Sequence, residues 1–370
     1  AFAKYAYKNN ELLALHASYN DSTYGTYNNK FKGVDNYKIL DKLNGKISLS
    51  YSSLNTLNKC AFSYYLKYIL SLSEYEDNFM TFIGNVFHYC IEKHFKDTNL
   101  LIDDLYEEAI LAYSDKYQMT IGEKHLISNL KFELQDVIKY LDEQLAYINY
   151  KDAMFEQKIE VDSKIDYSNN EIKTKFIGFV DKLLYKKVKD EFGNDITLVC
   201  IIDYKTSTSI KFEIELVKHG LSLQLPIYAF LANNIKGFDN VIVGGMFIQP
   251  ILNSTLIDVE GDSVKFEKKK SDSKKLNGCI NDELRDEYKF TNYDIYSKTS
   301  KLNSEDFNKL NSDVIDSINK AFITIASGDF KINPKRINNN NVTCSYCKFK
   351  DVCYFKESDY VDIVLEKEDL

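Results

Sequence analysis

Two spacings of apolar residues alternate along this chain, and each predicts a different kind of element. Helical spacing dominates first, whereas short, nearly continuous apolar runs bounded by turn residues fill the middle. The predicted helices are Ser52–Leu70, Thr81–Phe95, roughly Ile102–Ile148 in two or three pieces, Glu215–Ala232 and Glu305–Ala326. The predicted strands are Met154–Ile165, Ile172–Lys186, Thr197–Tyr204 and Val241–Gln249. Strands with helices before and after them predict an α/β sheet with a helical flank.

The apolar run Ile196–Ile202 leads directly into an acid and a base. Asp203 and Lys205 lie two residues apart, so on a strand they point to the same face. An earlier apolar run ends at Asp181, and the turn residues between 190 and 194 predict a hairpin that pairs the two strands. The sequence therefore predicts that two carboxylates and one ammonium converge.

Two carboxylates and a lysine at a strand end permit two interpretations. Mg²⁺ is bound by a few carboxylates plus waters, and such a site can activate a water for attack on a phosphate ester. The other interpretation is a surface ion pair, which is the more common role of an isolated Asp-x-Lys. The neighbouring motifs bear on the choice.

Two further pairs of residues share helical faces. His88 and Glu92 are four residues apart in a predicted helix, where the carboxylate could orient the imidazole as a metal ligand. A lone helical histidine is more often only a packed side chain. Gln224 and Tyr228 are also four apart, near the start of an apolar helix, and share one face of it.

Taken in order, these motifs resemble those of one nuclease family. They are Gly84-x-x-x-His88-x-x-x-Glu92, Gly178-x-x-Asp181-Lys182, Asp203-Tyr204-Lys205-Thr206 and Gln224-x-x-x-Tyr228. The set resembles the PD-(D/E)xK nuclease superfamily in its RecB-like branch. It looks most like the C-terminal nuclease domain of AddB-type helicase-nuclease subunits. Each motif alone is weak, but four in this order are specific, and the resemblance runs from about Leu49 to Tyr354.

The resemblance implies a role for each matched position. His88, Asp181, Asp203 and the backbone carbonyl of Tyr204 would bind Mg²⁺ or Mn²⁺. Lys205 would position the attacking water or help to deprotonate it. The catalytic set implied in this way is completed by two residues of the following helix.

Those two residues, Gln224 and Tyr228, would support the site or contact the DNA backbone. The chain departs from the family pattern immediately after the first acid. Lys182 stands where the family often has Arg, and Leu184 stands where it often has a second acid. The resemblance therefore does not predict an ion pair between these two positions, whereas the metal ligands are unaffected.

The resemblance also implies an architecture and domain limits. The fold would be a restriction-endonuclease-like mixed β-sheet core flanked by helices, with a helical N-terminal part. The nuclease domain would occupy 48–356, with the helical part at about 52–150 and the catalytic core at about 153–250. Residues 1–47 are interpreted as a polar tail of a preceding region, and 357–370 as an acidic C-terminal tail.

Three cysteines form a compact C-x₂-C-x₅-C group, namely Cys344, Cys347 and Cys353. A four-cysteine site needs one more thiolate. Spacing alone leaves structural zinc an open alternative to an iron–sulfur cluster. The resemblance implies that Cys60 is the fourth ligand of a [4Fe-4S] cluster, which would join the two ends of the domain.

The remaining cysteines and the overall composition limit the other classes. Cys90 and Cys200 fall in apolar runs and are predicted to be buried thiols, and Cys279 is also left over. Unpaired cysteines without a signal peptide predict a cytoplasmic protein. The apolar runs are too short to cross a bilayer. A net charge of −8 does not exclude DNA binding, which depends on local charge, although the lysines at 265–275 are only weak evidence for a DNA contact.

The predicted function is that of a Mg²⁺- or Mn²⁺-dependent deoxyribonuclease. The resemblance implies an exonuclease that processes single-stranded DNA ends in recombinational repair. Its partner would be a helicase or helicase-nuclease subunit, or a helicase-like region preceding it in the same chain. The alternatives are a catalytically silent module that binds DNA ends and a scaffold organised by its metal cluster.

Overall fold

A computed structural model describes residue 31 and the ranges 33–72, 78–115, 117–206, 212–252, 263–293 and 295–365. These residues form two compact units, here called the sheet unit and the cysteine unit. The sheet unit comprises the described residues within Leu43–Asn55 and Glu74–Ile323. The cysteine unit comprises those within Ala1–Lys42, Thr56–Ser73 and Thr324–Leu370.

In the described part of the sheet unit, seven strands form one mixed sheet. They are β1 (Lys46–Ser50), β2 (Asp152–Tyr167), β3 (Asn170–Lys189), β4 (Asp195–Lys205), β5 (Val241–Pro250), β6 (Leu276–Asn281) and β7 (Tyr296–Leu302). The order is β1-β3-β4-β5-β6-β7, and β2 pairs with β3. The pairs β1–β3, β4–β5 and β6–β7 are parallel, whereas β2–β3, β3–β4 and β5–β6 are antiparallel.

Each predicted helix is present in the described ranges, two of them interrupted, and three helices that were not predicted accompany them. They are α1 (Asn36–Lys42), α2 (Tyr51–Lys59), α3 (Ala61–Tyr64), α4 (Phe79–Lys96), α5 (Ile102–Ser114), α6 (Ile121–Leu145), α7 (Gln224–Ala232), α8 (Ser263–Ser273), α9 (Ser304–Ser327) and α10 (Lys350–Cys353). The first predicted helix is interrupted at Cys60, whose backbone is extended. The helix predicted over Glu215–Ala232 is a 3₁₀ turn (Ile214–His219) ended by left-handed Gly220, followed by α7.

The strand predictions are confirmed for β2 to β5, each to within three residues at either end. The short strands β1, β6 and β7 were not predicted, because their few residues carry polar side chains in place of an apolar run. In the cysteine unit, β8 (Lys335–Ile337) pairs in parallel with β9 (Val361–Ile363). The mixed sheet with flanking helices confirms the predicted α/β architecture.

The two faces of the sheet bury different helices. Alternate β4 side chains, including Leu198, Cys200 and Ile202, join the apolar cluster that α4, α5 and α6 build over one face. Helix α7 packs on β3, β4 and β5 from the other face. A Cβ at Gly178 would lie 2.2 Å from Leu231 Cδ1, so glycine lets α7 approach the sheet closely. Asp203 and the Tyr204 ring consequently face opposite sides of the sheet.

Burial of Cys90 and Cys200 agrees with the sequence prediction, and Cys279, for which none was made, is buried as well. Cys90, Cys200 and Cys279 are all fully buried. Within the described residues, no helix has the length and apolar character needed to cross a membrane.

Candidate active site

One edge of β3 changes partner next to Asp181. Along this edge, β1 pairs with residues 173–177 of β3 and β4 pairs with residues 182–189. Strand β2 pairs with the opposite edge of β3. Residues 178–181 lie between the β1 and β4 pairings, where β4 has already diverged from β3. The backbone N–H of Tyr204 donates to Asp181 Oδ2 at 3.0 Å, replacing a ladder hydrogen bond. This fork brings the Asp181 carboxylate to the end of β4.

Asp203, at the end of β4, is engaged on both carboxylate oxygens. Its side chain is 1% exposed, and Lys205 Nζ lies 2.6 Å from Oδ2. On the α7 side, Gln224 Nε2 donates to Oδ1 at 2.8 Å and to the Tyr228 hydroxyl at 3.0 Å. The strand alternation and the four-residue helical spacing thus bring together the four residues that the sequence singled out here.

His88 projects from α4 to the same place. Its Nε2 lies 3.3 Å from the carbonyl oxygen of Tyr204, and its Nδ1 lies 3.7 Å from Asp181 Oδ2. The carboxylate that contacts the ring is Glu156, whose Oε1 is 3.3 Å from Nδ1. Glu92, which the sequence offered as the orienting acid, instead pairs with Lys96 one turn further along α4.

Glu156 is a functional candidate that the sequence reasoning missed. Strands β2 and β3 are joined by Ser168 and Asn169, both with positive φ, which is the geometry of a two-residue hairpin turn. Counting outward from this turn places Glu156 opposite Asp181. The pairs on either side of this position are Phe155 with Lys182 and Gln157 with Val180. Glu156 itself has a φ of 46°, a strained value for a strand residue. The Ser-Asn turn was the signal that could have predicted the pairing.

Burial and like charges shift the acids of the site toward the neutral form. Burial, together with the charge of Asp181, raises the pKa of Asp203 to about 7, against the opposing effect of Lys205. Burial also raises the pKa of Asp181, although His88 and Lys205 oppose it. Burial lowers the pKa of His88, but the hydrogen bond to Glu156 and the nearby carboxylates outweigh it, so the net shift is upward.

The donor set suits a hard divalent cation. His88, Glu156 and Asp181 each offer one ligand atom, and these atoms lie within 4.8 Å of one another. Opposed carboxylates on neighbouring strands repel one another unless a cation lies between them. Carboxylate, imidazole and carbonyl donors fit Mg²⁺ or Mn²⁺.

These residues line one open cleft of about 550 Å³ in the sheet unit. Its lining also includes Asn85, Tyr89 and Tyr113. Polar and aromatic groups of this kind can contact sugars, phosphates and bases. The cleft is therefore the place where a substrate would meet the acids and Lys205.

Lys182, the departure from the family pattern, is buried with aromatic rings around its ammonium. The Nζ atom lies 4.4 Å from the ring centroid of Phe95 and 5.7 Å from that of Phe155. Burial lowers the pKa of Lys182 to about 8, which leaves the amine mainly protonated at neutral pH. Leu184 is buried in the apolar cluster. Aromatic rings therefore surround the Lys182 ammonium, in place of the acid that would form an ion pair with it.

In the cysteine unit, the four predicted ligands line one small cavity, Cys60 with Cys344, Cys347 and Cys353. Four thiols around one cavity are the donor set that either structural zinc or an iron–sulfur cluster would need.

The lysine-rich segment is only partly an open basic surface where the structure describes it, since Lys268 and Lys269 are exposed but other lysines of the segment are not. Lys270 pairs with Asp136, and Lys275 pairs with Asp272. Lys274 is 5% exposed. The side chain of Lys265 lies outside the described residues. These pairings weaken the case for a DNA contact here.

Relatives of this chain include proteins named as subunits of an ATP-dependent helicase/deoxyribonuclease. That of Carboxydothermus hydrogenoformans is 24% identical over 354 residues, covering 84% of this chain and 32% of the relative. That of Clostridium novyi is 27% identical over 407 residues, covering 93% and 34%. "Exonuclease/helicase subunit RexB" of Lactococcus lactis is 25% identical over 339 residues, covering 86% and 29%. The chain thus spans about a third of the length of the curated relatives it matches.

Two further comparisons concern the fold and the family. A solved structure titled "Crystal structure of SSO0001" aligns over 86% of this chain and 93% of its own, at 13% identity and a TM-score of 0.25, which is too low to compare folds. The sequence matches the PD-(D/E)XK nuclease superfamily over residues 48–354. That range contains the cleft and all of its acids. The match covers most of the chain and confirms the resemblance carried by the motifs, and the chain belongs to the PD-(D/E)XK nuclease superfamily.

Proposed function

We propose that this chain is a divalent-metal-dependent deoxyribonuclease that hydrolyses phosphodiester bonds at DNA ends. One observation carries the proposal: Asp181, Asp203 and Lys205 converge in the cleft with His88 and Glu156. A bound Mg²⁺ or Mn²⁺ would polarise the scissile phosphate and lower the pKa of a bound water. His88, Asp181, Asp203, Glu156 and the Tyr204 carbonyl are the groups that would hold it.

The chain's own residues divide the remaining work. Lys205, held by Asp203, directs its ammonium toward the attacking water and stabilises the negative charge that develops on it. Gln224 occupies the other Asp203 oxygen and is itself in contact with Tyr228, so the acid keeps one orientation. Water attacks phosphorus as the bond to the sugar oxygen breaks. The proton of the attacking water passes to solvent, and the leaving sugar oxygen takes up a proton from solvent to become a hydroxyl.

The relatives suggest the biological setting. They are named as helicase/deoxyribonuclease or exonuclease/helicase subunits, which supports DNA as the substrate and a helicase as the partner. We infer an exonuclease acting on single-stranded ends in cytoplasmic recombinational repair, with the partner in a second polypeptide or elsewhere in a longer one. The four cysteines of the cysteine unit would hold a [4Fe-4S] cluster, with structural zinc as the alternative.

The proposal is tested with Asp203→Ala and Lys205→Ala. Each substitution should reduce Mg²⁺- or Mn²⁺-dependent DNA digestion at least about 100-fold, because groups holding or facing the metal are lost. Asp195→Ala is the matched control, since Asp195 is an exposed acid at the opposite end of β4 that pairs with Lys189. Circular dichroism should remain native in all three variants.

The same experiment separates the alternatives. Undiminished digestion by purified Asp203→Ala protein would contradict the active-site assignment. A wild-type protein that binds DNA ends but digests none in either metal would favour the silent end-binding module. Failure to bind DNA at all would favour the scaffold.

A further inference from the structure

Lys182 follows Asp181 on β3 and is 1% exposed. Three aromatic rings surround its ammonium. Their centroids lie 4.4 Å (Phe95), 5.7 Å (Phe155) and 5.8 Å (Tyr204) from Nζ. Phe95 and Phe155 also stack on each other, with centroids 5.7 Å apart and planes 4° from parallel. The ammonium and rings are called the lysine cage below.

The elements that supply the lysine cage are the elements that supply the candidate metal ligands. Phe155 is directly opposite Lys182 on β2 and precedes Glu156 in sequence. Tyr204 contributes its ring to the cage, while its backbone carbonyl faces His88. Phe95 lies two helical turns beyond His88 on α4, on the same face of the helix. Four elements therefore each contribute one cage member and one ligand candidate.

The Tyr204 ring also links the cage to the histidine directly. The rings of His88 and Tyr204 meet edge to face, with centroids 5.8 Å apart. A shift of the Tyr204 ring would therefore displace both the imidazole and the carbonyl beside it.

We propose that Lys182 is a positioning residue, whose caged ammonium fixes α4, β2, β3 and β4 relative to one another so that the metal ligands converge. The inference rests on the proposed function, because it concerns the same metal site. A cation attracts the faces of several rings at once and so restrains their directions, which an apolar side chain of equal volume does not do. A residue that only filled the core would support the fold without affecting metal affinity.

The test is direct binding of Mn²⁺ to the full chain, measured by calorimetry without DNA. Lys182→Met keeps the length and apolar stem but removes the charge, and it should weaken Mn²⁺ binding at least about fivefold with the thermal transition retained. Lys182→Arg retains the positive charge, now on a planar guanidinium that can stack on aromatic faces, and should restore the affinity to within about twofold. Lys274→Met is the matched control, a second buried lysine that lies 5.9 Å from the Tyr140 ring, and should leave Mn²⁺ binding unchanged.

The outcomes separate this inference from the proposed function. If wild type and Lys182→Met fold equally well and bind Mn²⁺ equally, the positioning role is wrong while the nuclease proposal stands. A folded wild type that binds no Mn²⁺ contradicts both. If Lys182→Met does not fold, Phe155→Leu removes one ring and keeps the charge. This second variant should weaken Mn²⁺ binding about twofold or more, and unchanged binding would overturn the inference.

Discussion

At the scale of single residues, the cleft holds more negative charge than its own cations balance. Among the residues that the structure describes, Asp181, Asp203 and Glu156 face one ammonium, that of Lys205, and the ring of His88. Burial makes this imbalance costly, and it is why the pKa values of both aspartates are raised. Without a divalent cation, a proton is the species that can relieve the repulsion. Proton binding and metal binding should therefore compete in the cleft.

The first prediction is a stability that falls with rising pH in metal-free protein. Asp203 has a folded-state pKa of about 7, above its unfolded value near 4, so its favourable contribution is complete at low pH. It is lost as the pH rises toward 7 and beyond, and the upward shifts of Asp181 and His88 act in the same direction. After EDTA dialysis, the melting temperature should drop by several degrees between pH 5.5 and pH 8.

Two controls define this effect. Asp203→Asn cannot ionise and should flatten the dependence of melting temperature on pH. Added Mg²⁺ should raise the melting temperature more at pH 8 than at pH 5.5, because the cation binds the deprotonated acids. A wild-type protein that becomes more stable across this window would contradict the assigned shifts.

The second prediction concerns Glu156 on β2 and His88 on α4, the two ligand candidates that lie outside β3 and β4. Glu156→Gln and His88→Ala should each raise the Mn²⁺ concentration needed for half-maximal digestion by about tenfold or more. The activity of wild type should also fall as acid protonates the imidazole. Glu92 lines the same cleft but pairs with Lys96. Glu92→Gln should therefore change the Mn²⁺ concentration for half-maximal digestion much less. Identical metal titrations for Glu156→Gln and wild type would remove Glu156 from the site.

At the scale of elements, strands β5 and β6 approach through glycines. A Cβ at Gly278 in β6 would lie 1.9 Å from the backbone oxygen of Met246 in β5. A Cβ at Gly244 would lie 2.4 Å from the Tyr150 hydroxyl, which donates to the Tyr288 carbonyl. The backbone of Met246 cannot yield to a Cβ at Gly278, so the pairing of β5 and β6 depends on glycine there. Glycine at position 244 instead leaves room for the Tyr150 side chain.

The third prediction follows from this packing. Gly278→Ala should destabilise the protein by at least about 2 kcal/mol, because a backbone atom must move to admit the methyl group. Gly122→Ala in α6 is the matched control, since nothing lies within 4 Å of its Cβ position and alanine favours a helix. It should stabilise by about 0.5 kcal/mol. Urea unfolding measures both, and equal effects would contradict the packing argument.

At the scale of the whole molecule, the cysteine unit is built from stretches far apart in sequence. The Ala61 N–H donates to Asn333 Oδ1 at 2.8 Å, and the Phe62 N–H donates to the Lys331 carbonyl at 3.1 Å. The Tyr65 and Phe330 rings stack at 5.1 Å. These contacts bring Cys60 to the cavity that holds the three C-terminal cysteines. A cluster there would close a loop of about three quarters of the sequence between Cys60 and Cys344.

The fourth prediction is that the cluster colours and stabilises the protein. Anaerobically purified wild type should be brown and contain about four irons per chain. Changing any one of Cys60, Cys344, Cys347 or Cys353 to Ser should bleach it and destabilise the cysteine unit, because the loop-closing ligand is lost.

The matched controls are the three other buried thiols. Substitution of Ala for Cys90, Cys200 or Cys279 should leave the iron content unchanged, since these three residues lie in the sheet unit. One zinc per chain without sulfide would refute the cluster and leave the nuclease proposal intact.

By itself, the sequence determined features that depend on local periodicity. The alternation of β4 sets Asp203 and Lys205 on one face, and four-residue spacing sets Gln224 and Tyr228 on one face of α7. These are properties of a strand and of a helix, whatever they pack against. The central strands were predictable for the same reason, because each is a continuous apolar run between turn residues.

Only the tertiary structure decided which faces meet. Glu156 gained a partner because the β2–β3 register sets it opposite Asp181, and Asp181 reaches β4 because the sheet forks there. Lys182 is caged because β2, β4 and α4 bring rings to it. Periodicity specifies the direction of a side chain from its own element, whereas a charge is balanced by neighbours that packing brings from distant parts of the chain.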